Sequence, residues 1–383
     1  MLKLFYVCFF LVSGVAIPFF PPYLRNLGLS GKQVSAMLMV APVLQMGVPL
    51  LWGWMADRTR RPDRVLQVLC LGALVASLPI VFLRTMPVLL GFYAGQQFFM
   101  VSIMALADSL AVGKTRTGAE YSRIRLWGSL SFVAMCVLLG NWLDVRAVRT
   151  GDVLVPTLVS LGLALSLFAS LGLRGHGGQA SPHLREVRQL LRDRRFRFLL
   201  VIGGVHWMCL VPYHGFFGIL LRDRGFPSRT TGYAFTVGVM AEIAVFLVYS
   251  WLRSRIALVP MFVAAFAASA VRWWLFAYTQ SAWLIVATQV LHALTFGIFW
   301  ATSMAWIGTC VPSKLRATGQ VLFSATLGVG SMVGLLAAGA LYDATGGAGS
   351  AFTLAGLVEL VPLVLVLSMR AKFSQEKPDS AIT

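Results

Sequence analysis

Charge is scarce in this sequence. Of 383 residues, 12% are charged, against roughly 25% in a soluble domain, while 58% are hydrophobic and the mean hydropathy is +0.79. That balance excludes an ordinary soluble fold and points to a polytopic membrane protein. Acidic residues are rarer still, 14 against 32 basic ones, for a net charge of +18. On a soluble chain such a charge would suggest nucleic acid. Here the basic residues lie in short intervals between apolar runs, so they read as topology signals and no nucleic-acid partner is expected. The five cysteines, Cys8, Cys70, Cys136, Cys209 and Cys310, sit within apolar runs or at their ends. They have neither metal-ligand spacing nor the pattern of a disulfide framework, and are expected as small core residues, with no metal or cofactor. There is no P-loop, which argues against an ATP-driven pump. There is no converging nucleophile–base pair or metal cluster either, which argues against a membrane enzyme.

What the sequence has is apolar length. A helix needs about 20 apolar residues to cross a bilayer. Twelve stretches qualify: 3–24, 34–56, 65–83, 88–112, 124–143, 153–173, 197–221, 230–250, 257–277, 281–308, 317–341 and 348–370. The first has the position of a signal peptide, but it is too long, lacks a small-residue cleavage site and leads almost at once into the second. It reads as a retained helix. Most of the Lys and Arg residues fall in alternate intervals, beginning with Lys3 and Arg58 to Arg64 and ending with Lys372 and Lys377. By the positive-inside rule, both termini are expected on the cytoplasmic side.

The longest polar interval lies halfway along. Residues 174–196 hold Gly175, Gly177, Gly178 and Pro182, then the basic run Leu184 to Arg195. This reads as a cytoplasmic linker with an amphipathic segment on the inner membrane surface; His176 and His183 read as solvated loop residues. It separates an N-terminal six-helix half, 1–173, from a C-terminal one, 197–383, which carries a short cytoplasmic tail. The first span of each half ends alike. Leu24-Arg25-x-x-Gly28 and Leu221-Arg222-x-x-Gly225 stand 197 residues apart. Repeated halves imply a transporter with its site between them near the bilayer midplane.

A charged side chain mid-span costs about 2.5–3.5 kcal/mol on insertion scales and is a functional candidate by default. Glu242 lies in the middle of span 8, Arg272 in the outer part of span 9 and His292 near the middle of span 10. Acid, permanent cation and imidazole on successive spans suit one cavity in which a carboxyl takes up and releases a proton beside a fixed counter-ion. The structural alternative is a Glu242–Arg272 ion pair that stabilises packing. On span 7, His206 and Tyr213 are seven residues apart and share a face. With Phe217 they would form an aromatic wall for a ring-bearing solute, or simply pack against neighbouring helices. Asp108 on span 4, with Arg123 and Arg125 at the start of span 5, reads as a substrate group, a gate pair or a positive-inside anchor. Gln45, Gln96, Gln97 and Gln289 are available to bind substrate or to bridge helices.

Between spans 2 and 3 stands Gly53-Trp54-Met55-Ala56-Asp57-Arg58-Thr59-Arg60-Arg61. It resembles the loop between helices two and three of the major facilitator superfamily. The resemblance implies an all-α fold of twelve transmembrane helices in two pseudo-symmetric six-helix halves, working by alternating access. Gly53, Asp57, Arg58 and Arg61 would then form a gate latch that closes the inner side, with Gly53 permitting close backbone approach. Acid, Arg and His on spans 8, 9 and 10 resemble the lactose permease branch, where such residues serve substrate recognition and proton coupling. In that branch a carboxylate follows the histidine by one turn; this sequence has Thr295 there. Glu242, with His292, would then carry the proton.

Tyr121-Ser122-Arg123-Ile124-Arg125-Leu126-Trp127-Gly128-Ser129 and Arg316-Ala317-Thr318-Gly319-Gln320 are similar to the phenylpropionate permease-like group. That group is related to the lactose and nucleoside proton symporters. Span 5 lacks the Gly-Pro-x-x-Gly-Gly motif of drug–proton antiporters. The family resemblance implies uptake of a small organic solute, an aromatic acid being the leading class, with sugars and nucleosides open. It implies protons as the coupling ion, a monomer, and a cell inner membrane. An uncoupled facilitator, an exporter and a non-transporting sensor are the alternatives.

Overall fold

The computed structural model describes residues 1–112, 118–145, 153–175, 190–312 and 315–373. All regular structure among them is helical. Eleven helices are long and apolar enough to cross a membrane; a twelfth span results when Gly31–Gln45 and Val48–Thr59, bent by 40°, are counted together. Residues 176–189, with His176, His183 and most of the expected amphipathic run, lie outside the described residues.

The spans follow the apolar stretches closely. Span 1 is Leu2–Asn26, span 5 Arg123–Val145, span 7 Arg194–Asp223, span 8 Ser228–Arg253, span 9 Leu258–Tyr278, span 10 Ala282–Cys310 and span 12 Gly349–Ser368. Their outward faces carry exposed Leu138, Phe168, Leu247, Val290 and Val364. In a soluble protein such side chains would be a liability; against lipid they are the expected surface.

The matched Leu-Arg-x-x-Gly motifs do the same work. Gly28 has φ 85° and Gly225 φ 74°. In each copy the glycine N–H donates to the Arg carbonyl, Arg25 at 3.0 Å and Arg222 at 2.9 Å. The next residue, Leu29 or Phe226, donates to the Leu carbonyl of the motif, Leu24 or Leu221. This is a Schellman cap, which needs a left-handed residue where only glycine sits without strain.

Packing divides the chain into two compact units, Met1–Ser181 with Gly215–Tyr233, and Pro182–His214 with Ala234–Thr383. The division therefore runs through spans 7 and 8 as well as through the central interval. In the first unit, span 1 lies against span 5 and span 6 (Leu154–Leu171). The start of span 8 is tied to span 5. Asp144 accepts from the backbone N–H of Ser228 at 2.5 Å and of Arg229 at 3.0 Å, capping the helix, and Tyr233 donates to Asn141 at 3.2 Å. An acidic cap satisfies orphan N–H groups and complements the helix dipole. The second unit is built on an aromatic core that includes Phe196, Phe262, Phe266, Phe299, Trp306 and Phe323. Four cysteines are buried and Cys310 is half-buried; all five are free thiols.

Candidate transport site

Span 10 is the irregular element of the second unit. It is α-helical over Ala282–Ala287, 3₁₀ over Thr288–Leu291, π-helical over Ala293–Ile298 and α-helical again over Phe299–Cys310. Thr288, Val290, Thr295 and Gly297 all have modest helix propensity, and π segments often mark functional sites because they shift the carbonyl ladder. Span 8 comes close here. A Cβ at Gly297 would meet Val245 Cγ1 at 2.5 Å, so a larger residue would force Val245 to shift, and Glu242 lies next to the same point. That approach sets Glu242 opposite His292.

Arg272, on span 9, is fully buried. Its Nη1 donates to His292 Nδ1 at 3.1 Å and to Thr295 Oγ1 at 2.8 Å, and its Nη2 donates to Gln289 Oε1 at 2.6 Å. The guanidinium carbon stands 4.4 Å from the Tyr213 ring centre, 5.1 Å from Trp273 and 5.2 Å from Phe276. These hydrogen-bond partners are neutral. Among the described residues Arg272 forms no ion pair, and its Nε has no hydrogen-bond partner. The Glu242–Arg272 pair left open by the sequence is thus replaced by an indirect link. His292 Nε2 faces Glu242 Oε2 at 3.7 Å, with the Glu242 side chain 23% exposed. Because an arginine only donates, His292 Nδ1 must accept, which puts the histidine's proton on Nε2, towards Glu242.

His206 departs from the expected substrate wall. Its side chain is fully enclosed, with Nδ1 2.5 Å from Glu359 Oε1 and Nε2 2.9 Å from the Thr295 carbonyl oxygen. Glu359, in span 12, was missed in the sequence. The signal was present: it is a lone carboxylate in an apolar run, the same criterion that singled out Glu242. Tyr213 is buried, stacked on Phe235 at 5.0 Å and on Phe276 at 6.0 Å. Phe217 groups with the other unit. Gln289 takes a bridging place, accepting from Arg272 and donating to the Ile285 carbonyl at 3.1 Å. The polar groups thus form one chain across spans 12, 7, 10, 9 and 8: Glu359, His206, Thr295, Arg272, His292, Glu242.

In the first unit, Asp108 and Arg125 meet at 3.5 Å. Arg125 also donates to the Tyr121 hydroxyl at 3.0 Å, and the Tyr6 hydroxyl of span 1 donates to Asp108. Sequence spacing gave no hint of Tyr6, which is 102 residues from its partner. Arg123 is exposed. At the expected gate, the helix Val48–Thr59 runs through Gly53, Asp57 and Arg58, and the turn is confined to Arg60, φ 53°, and Arg61. Arg58 covers the Trp54 ring at 5.3 Å, and Arg61 pairs with Asp63 at 3.4 Å. An added Cβ at Gly53 would meet nothing within 4 Å. Among the described residues, then, nothing makes the close approach expected at Gly53.

A helical protein with this many spans, and with a charged polar chain enclosed among them, belongs structurally with membrane transporters. Residues 1–354 match the MFS_1 like family, and the chain belongs to it. It is 28% identical to the maltose permease of Geobacillus stearothermophilus over 390 residues, covering 98% of this chain and 96% of that protein. It is 27% identical to the probable 3-phenylpropionic acid transporter of Escherichia coli (strain K12), covering 90% and 91%. A crystal structure of the nucleoside transporter NupG superposes with a TM-score of 0.81 at 16% identity, covering 98% of this chain and 98% of that one, a likeness of fold. The chain is a small-solute transporter of the major facilitator type, not an enzyme.

Proposed function

We propose that the protein takes up a small organic anion, with aromatic carboxylates as the leading class, by alternating access of its two halves and in symport with protons. It would act as a monomer in the cell inner membrane, with both termini cytoplasmic and the Gly53–Arg61 stretch serving as an inner gate. Arg272 carries the substrate class. A buried cation without a counter-charge is costly. A carboxylate would relieve that cost through charge-assisted hydrogen bonds, and the rings of Tyr213, Trp273 and Phe276 suit an aromatic body. The Escherichia coli relative, whose name refers to 3-phenylpropionic acid, supports this reading; the maltose permease makes a neutral sugar the competing solute. Proton coupling is supported by Glu242, a part-exposed carboxylate facing the Nε2–H of His292, which in turn contacts Arg272.

The test is solute-driven proton movement in proteoliposomes, with 3-phenylpropionate, maltose and uridine as probes and Glu242→Gln beside wild type. Alkalinisation of the outside by 3-phenylpropionate alone, with Glu242→Gln binding it yet moving no protons, is the expected result. Accumulation without proton movement would make the protein an uncoupled facilitator. A response to maltose alone would overturn the substrate class.

A further inference from the structure

Trp251-Leu252-Arg253-Ser254-Arg255, where span 8 turns towards span 9, takes no part in the polar chain. It repeats the end of span 2. Trp54 and Trp251, like Arg58 and Arg255, stand 197 residues apart, the offset that relates the two Leu-Arg-x-x-Gly caps. In each copy the arginine lies over the indole, at 5.3 Å for Arg58 and 4.3 Å for Arg255, and both tryptophans are exposed. The copies differ at the residue before the arginine: Asp57 in the first is Ser254 in the second. No Asp or Glu stands between Glu242 and Asp343 in the sequence. Among the described residues Arg255 has no carboxylate within ion-pair distance.

Backbone hydrogen bonds fix the second copy in place. The N–H groups of Ser254, Arg255 and Ile256 donate to the carbonyls of Ser250, Leu252 and Leu252 at 3.1, 3.1 and 2.9 Å, and the Ser254 hydroxyl donates to the Trp251 carbonyl at 2.8 Å. Stacking on the indole holds the guanidinium by its face and leaves the N–H groups along its edge. None of them bonds to another described residue. Nine residues separate Glu242 from Trp251, about two and a half turns, so Trp251 lies on the face away from the polar chain. Leu247, one turn before Trp251 on that face, is 81% exposed. Along the helix the order is apolar side chain, indole, guanidinium. A phospholipid has the same order of chemistry, from acyl chain through the interface, where tryptophan is enriched, to phosphate.

We propose that Trp251 and Arg255 form a binding site for an anionic phospholipid. The guanidinium edge takes the headgroup phosphate, and the indole and Leu247 pack against the glycerol and upper acyl chain. Arg253, two residues away, adds charge. Arginine–phosphate hydrogen bonds are charge-assisted and can be bidentate, and basic residues just beyond a span attract anionic lipid. The missing acid assigns the site to the second copy. Around Arg58 the first copy keeps Asp57 and the Arg61–Asp63 pair, whereas around Arg255 the second has cations alone. The topology proposed above puts this end of span 8 in the inner leaflet; the lipid preference depends neither on that side nor on the solute.

The test places the full chain in phosphatidylcholine bilayer discs in which a minor fraction of the lipid is brominated, either as phosphatidylglycerol or as phosphatidylcholine. Bromine quenches nearby tryptophan, so the excess quenching by phosphatidylglycerol reads the preference for anionic lipid. Wild type should prefer it about fivefold, the contribution of one basic residue near an anionic surface. Trp251→Phe removes the reporter and should remove most of the excess; Trp54→Phe should leave it in place. Arg255→Gln keeps the reporter and should bring the preference close to one. Equal quenching of wild type by the two lipids overturns the proposal, as does an excess that survives Arg255→Gln. An excess lost in Trp54→Phe and kept in Trp251→Phe overturns the assignment to the second copy. Inorganic phosphate that abolishes the excess, where sodium chloride of the same ionic strength does not, would make this a site for a soluble anion and overturn the lipid assignment.

Discussion

Arg125 in the first unit and Arg272 in the second are both span arginines, and they are satisfied in opposite ways. Arg125 faces Asp108 at 3.5 Å, with side chains 51% and 30% exposed, so charge is matched by charge at a part-exposed position. Arg272 is wholly enclosed, and its hydrogen-bond partners are a histidine, a threonine and a glutamine, all neutral. The first arrangement is complete as it stands. The second is geometrically fixed yet electrostatically incomplete, which is the condition for attracting an anion. A buried charge held by dipoles alone remains poised to respond to any charge brought beside it, because the low local dielectric does not screen it.

Several substitutions can break or sharpen that contrast. The largest effect is expected at Arg272→Lys. An ammonium keeps the charge but cannot span His292, Thr295 and Gln289 with a planar fork. Exchange of 3-phenylpropionate should fall ~100-fold, about 2.8 kcal/mol; retention of wild-type exchange would end the anion-site reading. Next is Thr295→Val, which removes the hydroxyl that receives Arg272 but leaves the carbonyl that receives His206. Loss of one hydrogen bond to a charged group should weaken 3-phenylpropionate binding about tenfold, ~1.5 kcal/mol, by calorimetry.

Comparable in size, but read in stability rather than binding, are Gly28→Ala and Gly225→Ala. Each forces a side chain into the left-handed region at a cost of about 1–2 kcal/mol. Because the two caps share one hydrogen-bond pattern, their melting temperatures should drop by similar amounts. The smallest effect belongs to Asp108→Asn, since an exposed pair contributes about 0–1 kcal/mol. Initial uptake of 3-phenylpropionate should stay within about threefold of wild type. If it falls as far as in Arg272→Lys, the two arginines are equivalent and the contrast is void.

The fold was largely legible because membrane spans are written in composition. Lipid offers no hydrogen bonds, so a crossing segment must be a long apolar helix, and the twelve stretches stood out without tertiary information. The paired Leu-Arg-x-x-Gly motifs were legible for a related reason: a left-handed cap requires glycine whatever surrounds it. The site was legible only in part. Glu242, Arg272 and His292 were found because a charge in an apolar run is conspicuous. Their pairing was not, since helical spacing orders residues along one span and says nothing of which spans face each other. Hence the candidate Glu242–Arg272 ion pair gave way to a contact through His292. The seven-residue spacing from Tyr213 left His206 either on a substrate wall or packed against neighbouring helices, and could not point to its partner, 153 residues away. Gly53 looked like a point of close approach because glycine permits one; among the described residues nothing approaches it.

What the sequence determined by itself, then, was the solvent and the inventory: a chain for lipid, folded as spans, with few ionisable groups that had to matter because burying each is expensive. Tertiary structure decided which of those groups neutralise one another. It enclosed Glu359 with His206, gave Arg272 three neutral hydrogen-bond partners, and joined the two through both oxygen atoms of Thr295. That outcome depends on distances of about 3 Å between residues on five different spans, and hydrogen bonds fall off too steeply with distance and angle for any pattern along the chain to encode them.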